Sequence, residues 1–208
     1  MRDAPKRRRR SPETARDEIL DAAENILLVQ GPADLKFQEI ATAAKIAKAT
    51  AHHHFGSLEE IHKALVNRVL HRLTNDLSEA LSHSDASPEQ NIEQALEAVY
   101  AIIASERYAK ILAWIILSTE TSKLSYLAEP LDTIKSLVSE RLAKYMPERL
   151  AQTLAPQIVY QVAITAIGEG LIGKILQPIL SENDVLLEGK DVLNEMVFNK
   201  IVGRQKSN

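Results

Sequence analysis

Apolar residues recur through most of this chain at intervals of three and four, interrupted by a few short polar stretches, so the sequence predicts a succession of helices. Ser11 followed by Pro12 is a helix start, a hydroxyl cap and then a residue whose missing N–H costs nothing at the first position. Ile19, Ala22, Ala23, Ile26 and Leu27 form the buried stripe of this first helix, which Gly31-Pro32 ends near Gln30. Phe37, Ile40, Ala41 and Ala44 mark one face of a short second helix. After Lys45-Ile46-Ala47, a third offers Ala51 and Phe55 to that face. Ser57 with Glu60 is a capping box opening a long helix in which Ile61, Leu65, Val69, Leu73, Leu77 and Leu81 repeat every four residues. SHSDASPEQ breaks the pattern, and further helices are expected at about 88–105, 106–118, 125–145, 147–180 and 184–204. No segment alternates as a strand, so the fold class is all-α.

The stretch FQEIATAAKIAKATAHHHF, residues 37–55, organises the rest. Two helices this short bury too little surface to stand alone, and small residues at Ala41 and Ala51 suit a close helix crossing. Such a pair is a helix-turn-helix, whose second helix turns Lys48, Ala49, Thr50, His52, His53 and His54 outward. These side chains suit phosphate contacts or base edges in a DNA major groove. Periodicity is equally satisfied by an ordinary helical hairpin with a polar outer face.

A resemblance separates the two readings. AAKIAKATAHHHFGSLEEI resembles the signature A-x-x-V-S-x-G-T-x-Y-x-H-F-x-S/N-K-E-x-L of TetR-family transcriptional regulators, with matches at Ala43, Ile46, Thr50, His54, Phe55, Ser57, Glu59 and Ile61. The chain departs from it at Lys45 and Ala49, where Gly is common, and at Ala47, where Ser is usual. It departs again at His52, where Tyr is common, and at Leu58, where a phosphate-binding Lys is common. Without the glycine, a non-Gly residue has to accept positive φ, at a cost of order 1 kcal/mol. The resemblance implies an N-terminal three-helix helix-turn-helix DNA-binding domain followed by a larger helical ligand-binding and dimerisation domain. It also implies a repressor that binds a palindromic operator in double-stranded DNA as a homodimer and is released by a small-molecule effector of unknown identity. Thr50 and His54 fall on family phosphate-contact positions.

The length of 208 residues suits this division: a basic arm at 1–10, the reader at 11–56 and a helical effector and dimer domain at 57–208. The net charge of −3 conceals an asymmetry, since residues 1–56 carry ten Lys and Arg against eight acids, +2, leaving −5 for the remainder. The densest positive segment is MRDAPKRRRR. Its Arg7, Arg8, Arg9 and Arg10 are candidates for phosphate or minor-groove contact, against a solvated tail or a localisation signal. The absence of Cys excludes a disulfide framework and thiolate metal sites. No uninterrupted apolar run reaches ~18 residues and the basic start precedes SPETARDE, so a cytoplasmic protein without a membrane partner is expected.

Catalysis is not indicated. Adjacent helical positions lie ~100° apart, so His52, His53 and His54 fan out instead of converging on one ion. H-E-x-x-H, G-x-S-x-G, phosphate-loop and dinucleotide patterns are missing, so neither an enzyme nor a cofactor is expected. The rival is an all-helical, non-DNA-binding adaptor, from which salt-dependent duplex binding discriminates. Tyr100, Trp114, Tyr126 and Tyr160 are candidate ligand contacts within long Ile/Leu/Ala segments, though each suits a helical core as well. Leu150, Leu154, Ile158, Tyr160, Val162, Ile164, Ile167, Leu171 and Ile175 exceed what one domain face hides, as do Val192, Leu193, Met196, Val197 and Ile201. An interface is therefore expected there. Gly168, Gly170 and Gly173 are expected to let a partner helix approach closely.

Overall fold

The computed structural model describes residues 11–31, 33, 35–82, 88–118, 127–180 and 189–195, and its regular structure there is helical throughout. The chain divides into two compact units, Met1–Val69 and Leu70–Asn208.

In the first unit, α1 (Pro12–Val29) begins with the expected cap, Ser11 Oγ accepting from the Thr14 N–H at 3.1 Å, and ends at Gly31, whose φ of +89° favours glycine. α2 (Phe37–Ala43) and α3 (Lys48–Phe55) pack against α1 and each other. Ala41 and Ala51 are fully buried, as a close crossing requires. α4 (Leu58–Ser82) starts where Ser57 Oγ accepts from the Glu60 N–H at 3.2 Å. Ile19, Ile40, Ile61, Leu65 and Val69 are the large, fully buried side chains of this unit. The expected boundary after residue 56 therefore moves to 69/70, because the first three turns of α4 carry part of the first core. Arg68 also ties α4 to α1, meeting Asp21 Oδ1 at 2.7 Å and Glu24 Oε2 at 2.9 Å.

The turn between α2 and α3 shows how a chain without the usual glycine closes it. Lys45 sits at φ +54°, as its position predicts. Its N–H donates to Thr42 O at 3.0 Å, and the Ile46 N–H reaches back to Ala41 O at 3.1 Å. These are the two reversed bonds of a Schellman motif. The left-handed conformation costs an L-residue roughly 1–2 kcal/mol, and glycine loses part of that advantage in the unfolded chain. Lys45→Gly is therefore expected to stabilise the unit by about 0.5–1 kcal/mol, measurable as a raised urea midpoint at unchanged slope. Lys36 and Ala47, the caps of α2 and α3, make no side-chain cap bond.

The second unit holds the end of α4, α5 (Pro88–Ala104), α6 (Glu106–Ser118), α7 (Ala128–Ala143), α8 (Glu148–Gly168) and α9 (Lys174–Leu180). A π-helical turn, Glu169–Gly173, joins α8 to α9, and residues 189–195 are helical. α8 packs on α7, α5 and α6, burying Ala151, Leu154, Ala155, Ile158, Val162 and Ala166. On its other side Tyr160 (62%) and Ile164 are exposed, as are Leu171, Ile172, Ile175, Leu176 and Ile179 in the continuation. The apolar residues expected to form one interface thus divide by helical angle between an internal core and an outer face. Val192 is exposed and Leu193 buried in the same way, while Met196, Val197 and Ile201 lie outside the described residues. The run from 148 to 180 is also long and apolar enough to cross a membrane by length and composition, with a mean hydropathy of 1.3 in an 18-residue window, although charged and polar residues interrupt it.

The three glycines of this run differ in their surroundings. A Cβ on Gly170 would lie 2.5 Å from Ala104 O and 2.6 Å from Ala109 Cβ, so the close approach is to the α5–α6 corner of the same chain. A Cβ on Gly173 would meet the Glu169 carboxylate, which accepts from Gln177 Nε2 at 2.8 Å. At Gly168 a Cβ would enter open space.

Candidate nucleic-acid interface and ligand cavity

α3 turns Ala51 and Phe55 into the core and leaves Lys48, Ala49, Thr50, His52 and His53 exposed, with His54 half-buried. Its C-terminal end is clamped from α1. The Arg16 guanidinium lies 4.1 Å over the Phe55 ring and its Nη1 donates to His54 O. A cation at a helix C-terminus is favoured by the carbonyl dipoles there. His52 is held on two sides: its ring stacks on Phe37 at 4.0 Å and 16°, and Nδ1 donates to Gly56 O at 2.8 Å. That bond leaves Nε2 as its outer edge. Spacing alone did not reveal this bracing, which makes His52 a fixed part of the surface. His53 and His54 meet edge to face at 5.6 Å. The surface therefore presents a lysine, a hydroxyl and imidazoles on a short helix whose backbone and far end are immobilised. Arg7, Arg8, Arg9 and Arg10 lie outside the described residues.

The second unit contains a cavity of about 250 Å³. α4 supplies Leu70, Leu73, Thr74 and Leu77 to its wall, and further aliphatic residues come from α5, α6, α7 and α8. Arg141 joins this wall from the last turn of α7. None of the described aromatic candidates lines it. Tyr100 and Trp114 are buried elsewhere in the unit, Tyr160 is exposed on α8, and Tyr126 lies outside the described residues. The helical repeat that marked Leu73 and Leu77 as core holds for both, since a cavity wall and a packed core carry the same pattern.

Residues 19–65 match the model of bacterial regulatory proteins of the tetR family. That segment is similar to the DNA-binding part of tetR-family regulators. The match spans the end of α1, the turn and the start of α4, the segment whose geometry is described above. Among curated TetR-like relatives, an uncharacterised HTH-type transcriptional regulator of Mycobacterium tuberculosis strain H37Rv is 40% identical over 68 residues, 33% of this chain and 34% of that one. The HTH-type transcriptional regulator BetI of Brucella suis is 32% identical over 100 residues, 48% of this chain and 50% of that one. The chain thus spans a third to a half of the length of these curated relatives. These relatives are named as regulators, not enzymes. Over nearly the whole chain the TetR-like fold is shared with solved structures. A transcriptional regulator from Rhodococcus sp. Rha1 superposes with a TM-score of 0.68 at 21% identity, covering 92% of this chain and 97% of that one. A TetR regulator from Legionella pneumophila gives 0.62 at 21% identity, covering 88% and 95%.

Proposed function

We propose that this chain is a ligand-responsive transcriptional regulator of the TetR family, a cytoplasmic repressor that binds a palindromic operator as a homodimer and leaves it when a small molecule enters the cavity of the second unit. The observation that carries the DNA reading is the immobilised outer face of α3, with Lys48, Thr50, His52, His53 and His54 at the surface or its margin. Thr50 and His54 contact phosphates in this reading, Lys48 and His53 lie over bases or backbone, and the fixed His52 ring presents Nε2. Arg7, Arg8, Arg9 and Arg10 add non-specific affinity that weakens with salt. The dimer is supported by the exposed apolar face of α8 and α9, where Tyr160, Ile164, Leu171 and Ile175 lie in water in a single copy. Two readers must then sit about one DNA turn apart, and an effector that prefers a different spacing releases the operator by its differential affinity.

Selection of bound duplexes from a random pool tests the reading, with a two-fold symmetric sequence as the expected product. Sedimentation as a monomer at micromolar concentration, with tight binding to a palindrome, would refute the dimer. Within the reader, Thr50→Ala is expected to weaken all duplexes alike and to lower the slope of log affinity against log salt by roughly 0.9. His53→Ala is expected instead to change base preference by ~1–3 kcal/mol at one position. Titrations of both variants against the selected duplex and a scrambled one check the distinction; equal effects on both sequences for His53→Ala would remove it from base readout.

A further inference from the structure

Helices α4 to α8 enclose the cavity of the second unit with Leu, Ile, Val, Ala and Pro, no aromatic ring, and two polar side chains, Thr74 and Arg141. Both are already engaged. The Thr74 hydroxyl donates to Leu70 O at 2.9 Å, one turn back along α4. Arg141 is 6% exposed, has an interaction of its own within the chain, and its Nε and Nη1 are shielded from solvent. The interior surface is therefore hydrocarbon almost throughout.

Folded interiors pack closely and leave few spaces larger than one water molecule. A space of about 250 Å³ lies far above that, and its wall holds dispersion contacts for an occupant to make. Water is a poor occupant, because a buried water needs about two to four polar partners. A polar ligand fails for the same reason: its hydroxyl or charge leaves the hydrogen bonds of bulk water behind and gains none here. No ring in the lining offers stacking or edge-to-face contact to an aromatic ligand.

We propose that this cavity takes an uncharged aliphatic compound, held by dispersion and by the removal of its surface from water. An apolar cavity of ~150 Å³ takes benzene, so the larger volume here suits roughly eight to ten carbons. Each methylene brought in strengthens binding about fourfold, and each hydroxyl or charge weakens it. This assignment names the effector class of the cavity in the regulator reading and rests on that reading for its biological role.

The test is a methyl NMR titration of the full chain with cyclooctane, cyclooctanol, cyclooctanecarboxylate and cyclooctylammonium, each up to the aqueous solubility of cyclooctane. Wild type is expected to saturate with cyclooctane and to bind it at least tenfold tighter than cyclooctanol, with no saturation by either ion. Ala163→Leu and Ala95→Leu each extend a small wall residue into the space and are expected to weaken cyclooctane binding at least tenfold. Melting verifies that each variant is folded; if one is not, the other carries the test, and if neither is, the wild-type ranking carries it. Cyclooctanol or either ion binding as tightly as cyclooctane, undiminished binding by a folded filling variant, or no saturable cyclooctane binding would each overturn the assignment. Cyclooctane that binds with this ranking and leaves operator affinity unchanged would uphold the site and overturn release by ligand. Failure to bind any duplex would overturn the regulator reading and leave the aliphatic site standing.

Discussion

Arg68→Met is expected to destabilise the N-terminal unit by about 3 kcal/mol, the low end for breaking a buried ion pair. The Glu24 side chain is 4% exposed and accepts from Arg68 Nη2 at 2.9 Å, so removing the guanidinium strips a carboxylate of its cation where water cannot replace it. The second arm, from Nη1 to Asp21 at 2.7 Å, contributes little because Asp21 stands in solvent. Arg68→Lys keeps the charge, loses the two-pronged geometry and is expected to fall between. The double variant Arg68→Met, Glu24→Leu is expected to regain most of the loss, since the cost lies in the stranded carboxylate and not in the pair as such. Urea unfolding of wild type, Arg68→Met, Arg68→Lys, Glu24→Leu and the double variant checks these values; a loss below ~1 kcal/mol for Arg68→Met would show that Glu24 is solvated despite its burial. The consequence reaches function because α1 also carries Arg16, the clamp on α3. A unit with a total stability of ~5–15 kcal/mol cannot lose 3 without loosening its reader helix.

Gly170→Ala is expected to cost the second unit about 2–3 kcal/mol, toward the upper end for overpacking, whereas Gly168→Ala, two residues away, is expected to stabilise it by about 0.5–1 kcal/mol. The added methyl at 170 meets the Ala104 carbonyl and the Ala109 Cβ, neither of which can turn aside as a long side chain would. At 168 the same methyl enters open space and the change removes only glycine's helix penalty. The Gly170→Ala variant is expected to keep the oligomeric state of the parent, because Gly170 packs against the α5–α6 corner of its own chain. Thermal unfolding and sedimentation of the two proteins check this. A folded but monomeric Gly170→Ala variant would return the glycine to the subunit interface.

Those glycines show where sequence reading stops. Three glycines in an apolar helix announce a close approach, and the structure contains one at Gly170, but composition carries no direction. The neighbour is the corner between α5 and α6, some sixty residues earlier in the chain. At Gly170 the close approach is therefore within the chain, where a partner helix was expected. The same limit appears at the cavity of the second unit. Tyr100, Trp114 and Tyr160 draw attention because they carry a polar handle, yet the cavity is bounded by Leu, Ile and Val that look like ordinary core, and by Arg141 near the end of a charged helix.

What the sequence by itself determined is local. Ser11-Pro12, Gly31, Ser57 and Gly56 mark ends, the three-and-four spacing marks the helices, and the Lys45 position predicts the left-handed turn found at φ +54°. Each of these depends on residues within one or two turns, and the short-range sterics and hydrogen bonds that act there are written in adjacent letters. Only the tertiary structure decided that Arg16 grips the end of α3, that His52 lies on Phe37, that Arg68 reaches Glu24, and that the first domain extends into α4. These contacts join residues up to 44 positions apart, where one helical period fits several pairings and only simultaneous packing selects among them.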